Sequence, residues 1–168
     1  MGKIKLVKYL LAIFLILLFR CSSVNDSDVQ EQYISFSTTI KDSVETFKIV
    51  DNNFQYGHGA TYFSPYDVTN IRLTDLNLNK LISFRLSFPG QSIGEYEWIT
   101  NTNIPLIEIR KGEQIHSIIP QIGLINITKY GNIGERVEGS FDGVGFEDSS
   151  MDTINVTGEF SLQRLKDF

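Results

Sequence analysis

From Tyr33 onward, apolar and polar side chains alternate with a period of two. Ile34, Phe36, Thr38 and Ile40 take one side and Ser35, Ser37 and Thr39 the other, the signature of a half-buried strand. Lys80 to Phe88 is the cleanest case. There Ile82, Phe84, Leu86 and Phe88 alternate with Ser83, Arg85 and Ser87 and end at a Pro-Gly turn, whereas a helix would scatter those four apolar residues around its circumference. Shorter β-like runs cover Val44 to Val50 and Val68 to Leu76, carrying Phe47, Ile49, Ile71 and Leu73, with a turn predicted at Asp51-Asn52-Asn53.

The second half repeats the pattern in Ile104 to Arg110, Gln114 to Ile119 and Leu124 to Tyr130, with Lys111-Gly112-Glu113 as a hairpin turn and a break at Tyr130-Gly131-Asn132. Two longer strands close the chain, Glu135 to Phe146 and Thr153 to Arg164, joined by the acidic hairpin EDSSMD. At about 3.3 Å per residue each spans roughly 35–40 Å, so bulges are expected, with the glycines as their sites. No segment has a helical period, and turn signals recur about every eight to twelve residues. The expected fold is therefore all-β, an antiparallel two-sheet β-sandwich over residues 33–168, with a small closed, calyx-like barrel as the alternative.

The N-terminus breaks the alternation. Lys3, Lys5 and Lys8 precede an uncharged run from Tyr9 to Phe19, and small residues follow it. Those 11 residues would rise only about 16 Å as a helix, roughly half a bilayer's hydrocarbon thickness, so a secretory signal is expected over residues 1–20 rather than a membrane span. Cys21-Ser22-Ser23 resembles the cleavage site of bacterial lipoproteins, where the Cys is acylated. Phe19 and Arg20 depart from the small residues that such sites carry before the Cys. Lipidation at Cys21 is the preferred expectation, because the apolar run stops just before it and no second Cys exists for a disulfide; cutting after Ser23 is the alternative. Residues 21–32 are too polar and too acidic to bury themselves and read as a flexible tether.

Charge narrows the function classes. Loss of residues 1–20 removes four cations, leaving eleven against twenty acidic residues, a net charge near −9, with no basic stripe. Such a surface repels phosphate backbones, so no nucleic-acid partner is expected. Overall, 42% of the residues are hydrophobic and 21% charged, a balance that suits a globular domain.

Chemistry-bearing motifs are sparse. The two histidines, His58 in GHG and His116 in QIHS, have no metal-ligand spacing, so neither a metal nor a cofactor is expected, and His116 reads as an outward strand residue. There is no G-x-S-x-G nucleophile motif and no Gly-rich loop opening a helix. Glu95 with Glu97, and Glu138 with Asp142, would each share a strand face, but same-face carboxylates on an acidic protein are usually solvated, so no catalytic residue is assigned. Glu147, Asp148 and Asp152 lack the order of a calcium loop and read as a wet hairpin tip.

The segment FQYGHGATYFSPYD, residues 54–67, is the candidate for binding. Tyr56, His58, Tyr62 and Tyr66 lie there among Gly57, Gly59 and Pro65, and Trp98 is the sole tryptophan. Aromatics on loops stack on sugars or anchor protein partners, while aromatics at alternate strand positions fill a core. Short acceptor patterns also occur: Asn126-Ile-Thr and Asn155-Val-Thr, whose positions inside strands argue against use, and Asp42-Ser-Val and Asp152-Thr-Ile.

Four stretches fall in a recognisable order: Ile93-Gly-Glu-Tyr96, Gly123-Leu-Ile-Asn-Ile-Thr128, Glu138-Gly-Ser-Phe141 and Val156-Thr-Gly-Glu-Phe160. Together with the leader they resemble a group of small lipoproteins common in Bacteroidetes. The resemblance covers roughly Lys80 to Arg164 and implies a β-rich domain of the cell envelope, without catalytic residues to carry over. The expected function is thus a lipid-anchored, non-enzymatic envelope protein, in the outer membrane and facing either the periplasm or the exterior, that binds an envelope protein or glycan or plays a structural part. The alternative is a hydrolase or binding module acting on envelope polysaccharide.

Overall fold

A computed structural model describes residues 31–40, 43–51, 58–77, 80–100, 104–111 and 113–168. They belong to one compact unit, Glu31–Phe168. The expected signal peptide, nearly all of the tether, Cys21 and Tyr56 lie outside the described residues.

The unit is all-β. Its strands are β1 (Gln32–Ile40), β2 (Ser43–Asp51), β3 (Gly59–Phe63), β4 (Val68–Asn77), β5 (Lys80–Pro89), β6 (Gly94–Glu97), β7 (Ile107–Lys111), β8 (Gln114–Tyr130), β9 (Arg136–Glu147) and β10 (Thr153–Gln163), with a 3₁₀ turn at Ser64–Tyr66. They form a single antiparallel sheet in the order β2-β1-β10-β9-β8-β7-β5-β4-β3, with β6 attached to β8, and the sheet does not close. Among the described residues no helix is long and apolar enough to cross a membrane.

The sheet curls over its own apolar face. The Phe36 ring on β1 lies 5.7 Å from Phe84 on β5, and Phe84 lies 4.9 Å from Phe141 on β9. β1 and β5 are five strand spacings apart in the sheet, about 24 Å if it were flat. Only strong curvature brings the two rings together. The alternating residues read from sequence line this interior: Ile34 and Phe36, Ile71 and Leu73, Ile82 through Phe88, and Val156, Phe160 and Leu162 are all buried. Thr38, the polar member of the first apolar face, is buried with them.

Three features differ from the sequence expectation. Gln114 to Tyr130 is one strand of 17 residues rather than two, because Pro120, which has no N–H to give, sits at a register shift between Pro120 and Ile122 and not at a chain break. The bulges fall in β8, the second between Ile127 and Lys129, while β9 and β10 pair without a shift from Thr153↔Phe146 to Gln163↔Arg136. Two glycines of those strands lie under aromatic rings instead: Gly158 stands across from Phe141 and Gly139 from Phe160. Finally, Gly59–Phe63 forms a strand beyond those read from sequence, with Ala60 and Tyr62 turned inward while Thr61 and Phe63 take the other face.

β5 pairs with β7 only through Phe84 and then diverges from β8, which turns to β6. Residues 98–100 and 104–106 border the opening. Ile99 N–H donates to Ser87 O and Trp98 N–H to Gly123 O, while Leu106 accepts from Arg85 N–H and donates to Ile118 O. The chain's end crosses the opposite side of the same region, where Leu165 N–H donates to Ala60 O, Phe168 N–H to Tyr62 O, and Ser64 N–H to Phe168 O.

Candidate functional site

Between these two crossing segments lies a cavity of about 1070 Å³, at the upper end of the range typical of small-molecule sites. It covers the face of β3, β4 and β5 turned away from the core. Strand register orders that face into rows. Gly59, Arg72 and Arg85 form one row, Thr61, Asn70 and Ser87 the next, and Phe63, Val68 and Pro89 the third. Polarity therefore falls along the cavity, from charged to neutral polar to apolar.

The walls are apolar. Ile99, Ile104 and Pro120 contribute one side, and Leu165 and Phe168 the other, with Lys166 beside them. Phe168 stacks on Phe63 with ring centroids 5.7 Å apart. Gly59 makes room for the tail, since a Cβ there would lie 2.6 Å from Gln163 O and 3.0 Å from Leu165 Cγ, and its φ of +140° further excludes other residues.

The two arginines are the unusual element. Arg72 and Arg85 are directly opposed across the β4–β5 ladder, and among the described residues neither guanidinium has a hydrogen bond or an ion pair. Burial, and then the Arg72 charge beside it, push the Arg85 guanidinium below its ordinary value. No Asp or Glu side chain occurs among the described lining residues. In the middle row Ser87 Oγ donates to Asn70 Oδ1.

The aromatic candidates separate. Tyr66, 78% exposed, lines the cavity's mouth. Tyr62, one strand position from the lining Thr61 and Phe63, points inward and donates to Asp67 Oδ1 at 2.9 Å, and that bond holds its phenol above the usual value. Trp98 is buried, with its Nε1–H on Leu124 O at 3.0 Å and its indole flat over Gly123 and Gly143. His58 is buried and its Nδ1 lies 2.9 Å from Asp51 Oδ2. Tyr62, Trp98 and His58 thus serve packing and internal bonds, and Tyr66 alone of the described candidates reaches the cavity.

His116 does not face solvent freely, contrary to its reading from sequence. Its Nδ1 lies 2.5 Å from Glu147 Oε1, and Ser150 Oγ donates to Glu147 Oε2 at 3.0 Å. Strand alternation alone could not foresee this, because Glu147 reaches His116 across the β8–β9 ladder. The His116 bond, more than offsetting burial, holds the Glu147 carboxyl below its usual range. Among the described residues no three His, Cys, Asp or Glu side chains converge as a metal site would need.

Sequence reasoning missed the arginine row. Arg85 was legible only as the wet side of its strand, and the signal lay in the register: with Asn77 paired to Lys80, Arg72 falls opposite Arg85. No protein-family model, no curated protein and no solved structure matches the chain.

Proposed function

We propose that this chain is an exported, lipid-anchored envelope protein with a non-enzymatic binding role, and that the cavity over β3, β4 and β5 is its binding site. The observation that carries the reading is a large, mostly apolar hollow whose polar groups lie in one strip, the usual build of a small-molecule site. Three cationic side chains and no Asp or Glu among the described lining residues support binding over two-carboxylate hydrolysis. Exposed Tyr66 at the mouth favours a second reading, a glycan stacked at the rim. In the same proposal the curled sheet works as a two-layer sandwich, supported by the contact of Phe36 with Phe84. The leader and Cys21 supply the anchor, and the resemblance to Bacteroidetes lipoproteins supports the envelope location.

Two measurements test this. Nile red, a neutral apolar dye, should bind the full chain saturably at one site, and Val68→Trp, which fills the hollow, should abolish the binding. Dye uptake unaffected by Val68→Trp would place the binding elsewhere. Radiolabelled palmitate should enter the wild type and not Cys21→Ala, and an unlabelled wild type would refute the lipid anchor.

A further inference from the structure

Resting on the reading of the cavity as a binding site, we propose that its ligand is an amphiphilic anion, with a carboxylate or phosphate head held between Arg72 and Arg85 and an apolar body lying toward Phe63 and Phe168. Two cations directly opposed on adjacent strands repel each other. Other cations of this acidic chain find acids: Arg164 bonds Asp167 at 2.8 Å, Lys48 lies 3.3 Å from Glu31, and Lys129 lies 3.7 Å from Glu138. The arginine row pairs cation with cation and lacks an acid among the described residues, inside a cavity. A bound anion would supply the missing partner, and the planar guanidinium fork suits the paired oxygens of a carboxylate or phosphate.

The rows fix the ligand's polarity and its direction. Past the arginines, Ser87 donates to Asn70 Oδ1, which leaves the Asn70 amide N–H groups and the Thr61 hydroxyl as the neutral polar surface of the next row. Beyond them Val68, Phe63 and Phe168 form an apolar end, faced by Ile99, Ile104 and Pro120. An anion without an apolar body would leave that end filled with water, and a neutral apolar molecule would leave the guanidinium pair uncompensated. The net charge of −5 adds selectivity, because the rest of the surface repels anions and the attraction is confined to this strip.

The test titrates the full chain with dodecanoate, dodecyl phosphate, dodecanol and acetate, all below micellar concentration, reading displacement of Nile red. Dodecanoate or dodecyl phosphate should bind at least about tenfold more tightly than dodecanol, the effect of one charge-assisted hydrogen bond, and the order of the two identifies the head group. Acetate should not displace the dye. Arg72→Gln and Arg85→Gln should each bring the anion down toward dodecanol while leaving dodecanol unchanged. Arg110→Gln, which removes an equal charge from exposed β7, should change nothing. Equal affinity for dodecanol and both anions in the wild type overturns the anion assignment and leaves the cavity reading standing. Failure of every chain compound and of Nile red, with the β circular-dichroism spectrum intact, overturns both.

Discussion

Arg72 on β4 and Arg85 on β5 occupy directly opposed positions of one ladder, cation against cation, in a protein with more acids than bases. Folding keeps them there at a cost, since like charges directly opposite destabilise a sheet. Replacing Arg72 by Thr should therefore raise stability, by about 0.2–1 kcal/mol, as a site held for binding rather than for the fold would behave. Urea denaturation at low salt reads the change, and the gain should shrink as salt screens the pair. A loss of stability would show that the arginine supports the sheet.

Trp98 and Gly123 make a second pair whose coupling can be measured. A Cβ on Gly123 would lie 2.5–2.7 Å from three indole atoms of Trp98. Gly123→Ala should cost about 1–3 kcal/mol through overpacking, and Trp98→Ala about 3–5 kcal/mol through lost burial. On the Trp98→Ala background the alanine should cost nothing. A double-mutant cycle checks this, and additive effects would rule out the contact as the cause.

The pair Glu147 and His116 gives the unit an acid-sensitive element. Because the folded carboxyl lies below its ordinary value of 4.5, its contribution is present above that value and is lost as pH falls through the folded one. Melting temperature should drop with acidification below about pH 4.5 more steeply in the wild type than in Glu147→Gln. The variant should also be the less stable protein at neutral pH. Parallel curves from differential scanning calorimetry would assign the acid limb to other carboxylates.

Removing Leu165–Phe168 should open the cavity without unravelling the ladder. The deletion removes the donor of Ala60 O, the acceptor of Ser64 N–H, and the ring stacked on Phe63. Hydrogen exchange should accelerate at the Ser64 amide and remain slow at the amides that join β4 to β5, and Nile red should lose its site. Unchanged exchange at Ser64 would show that the tail is not docked in solution.

How far the sequence reached can be judged from particular residues. Ile82 through Phe88 announced their buried face correctly, because period two is a local property of a half-buried strand. The hairpins at Lys111-Gly112-Glu113 and EDSSMD were equally local. Gln114 to Tyr130 read as two runs, since the bulge that carries the strand past Pro120 depends on the partner strand. The cavity was least visible. It needs the register of β3, β4 and β5, a tail crossing one side and a connector crossing the other, and none of these is written in one stretch of residues. Tyr66 was found by composition alone, whereas Arg72 and Arg85 required knowing which residues face each other.

The pairing of β1 with β10 has a consequence for the chain's biosynthesis. The first strand made has β2 on one edge and must wait for Thr153–Gln163 to cover the other, and β3 waits for the last four residues. The ladder of β1 therefore closes through a partner more than a hundred residues away, a long-range pairing that makes a slow late event of folding. Until Thr153–Gln163 arrives, the earliest strand stands with an open edge, able to pair with the wrong chain.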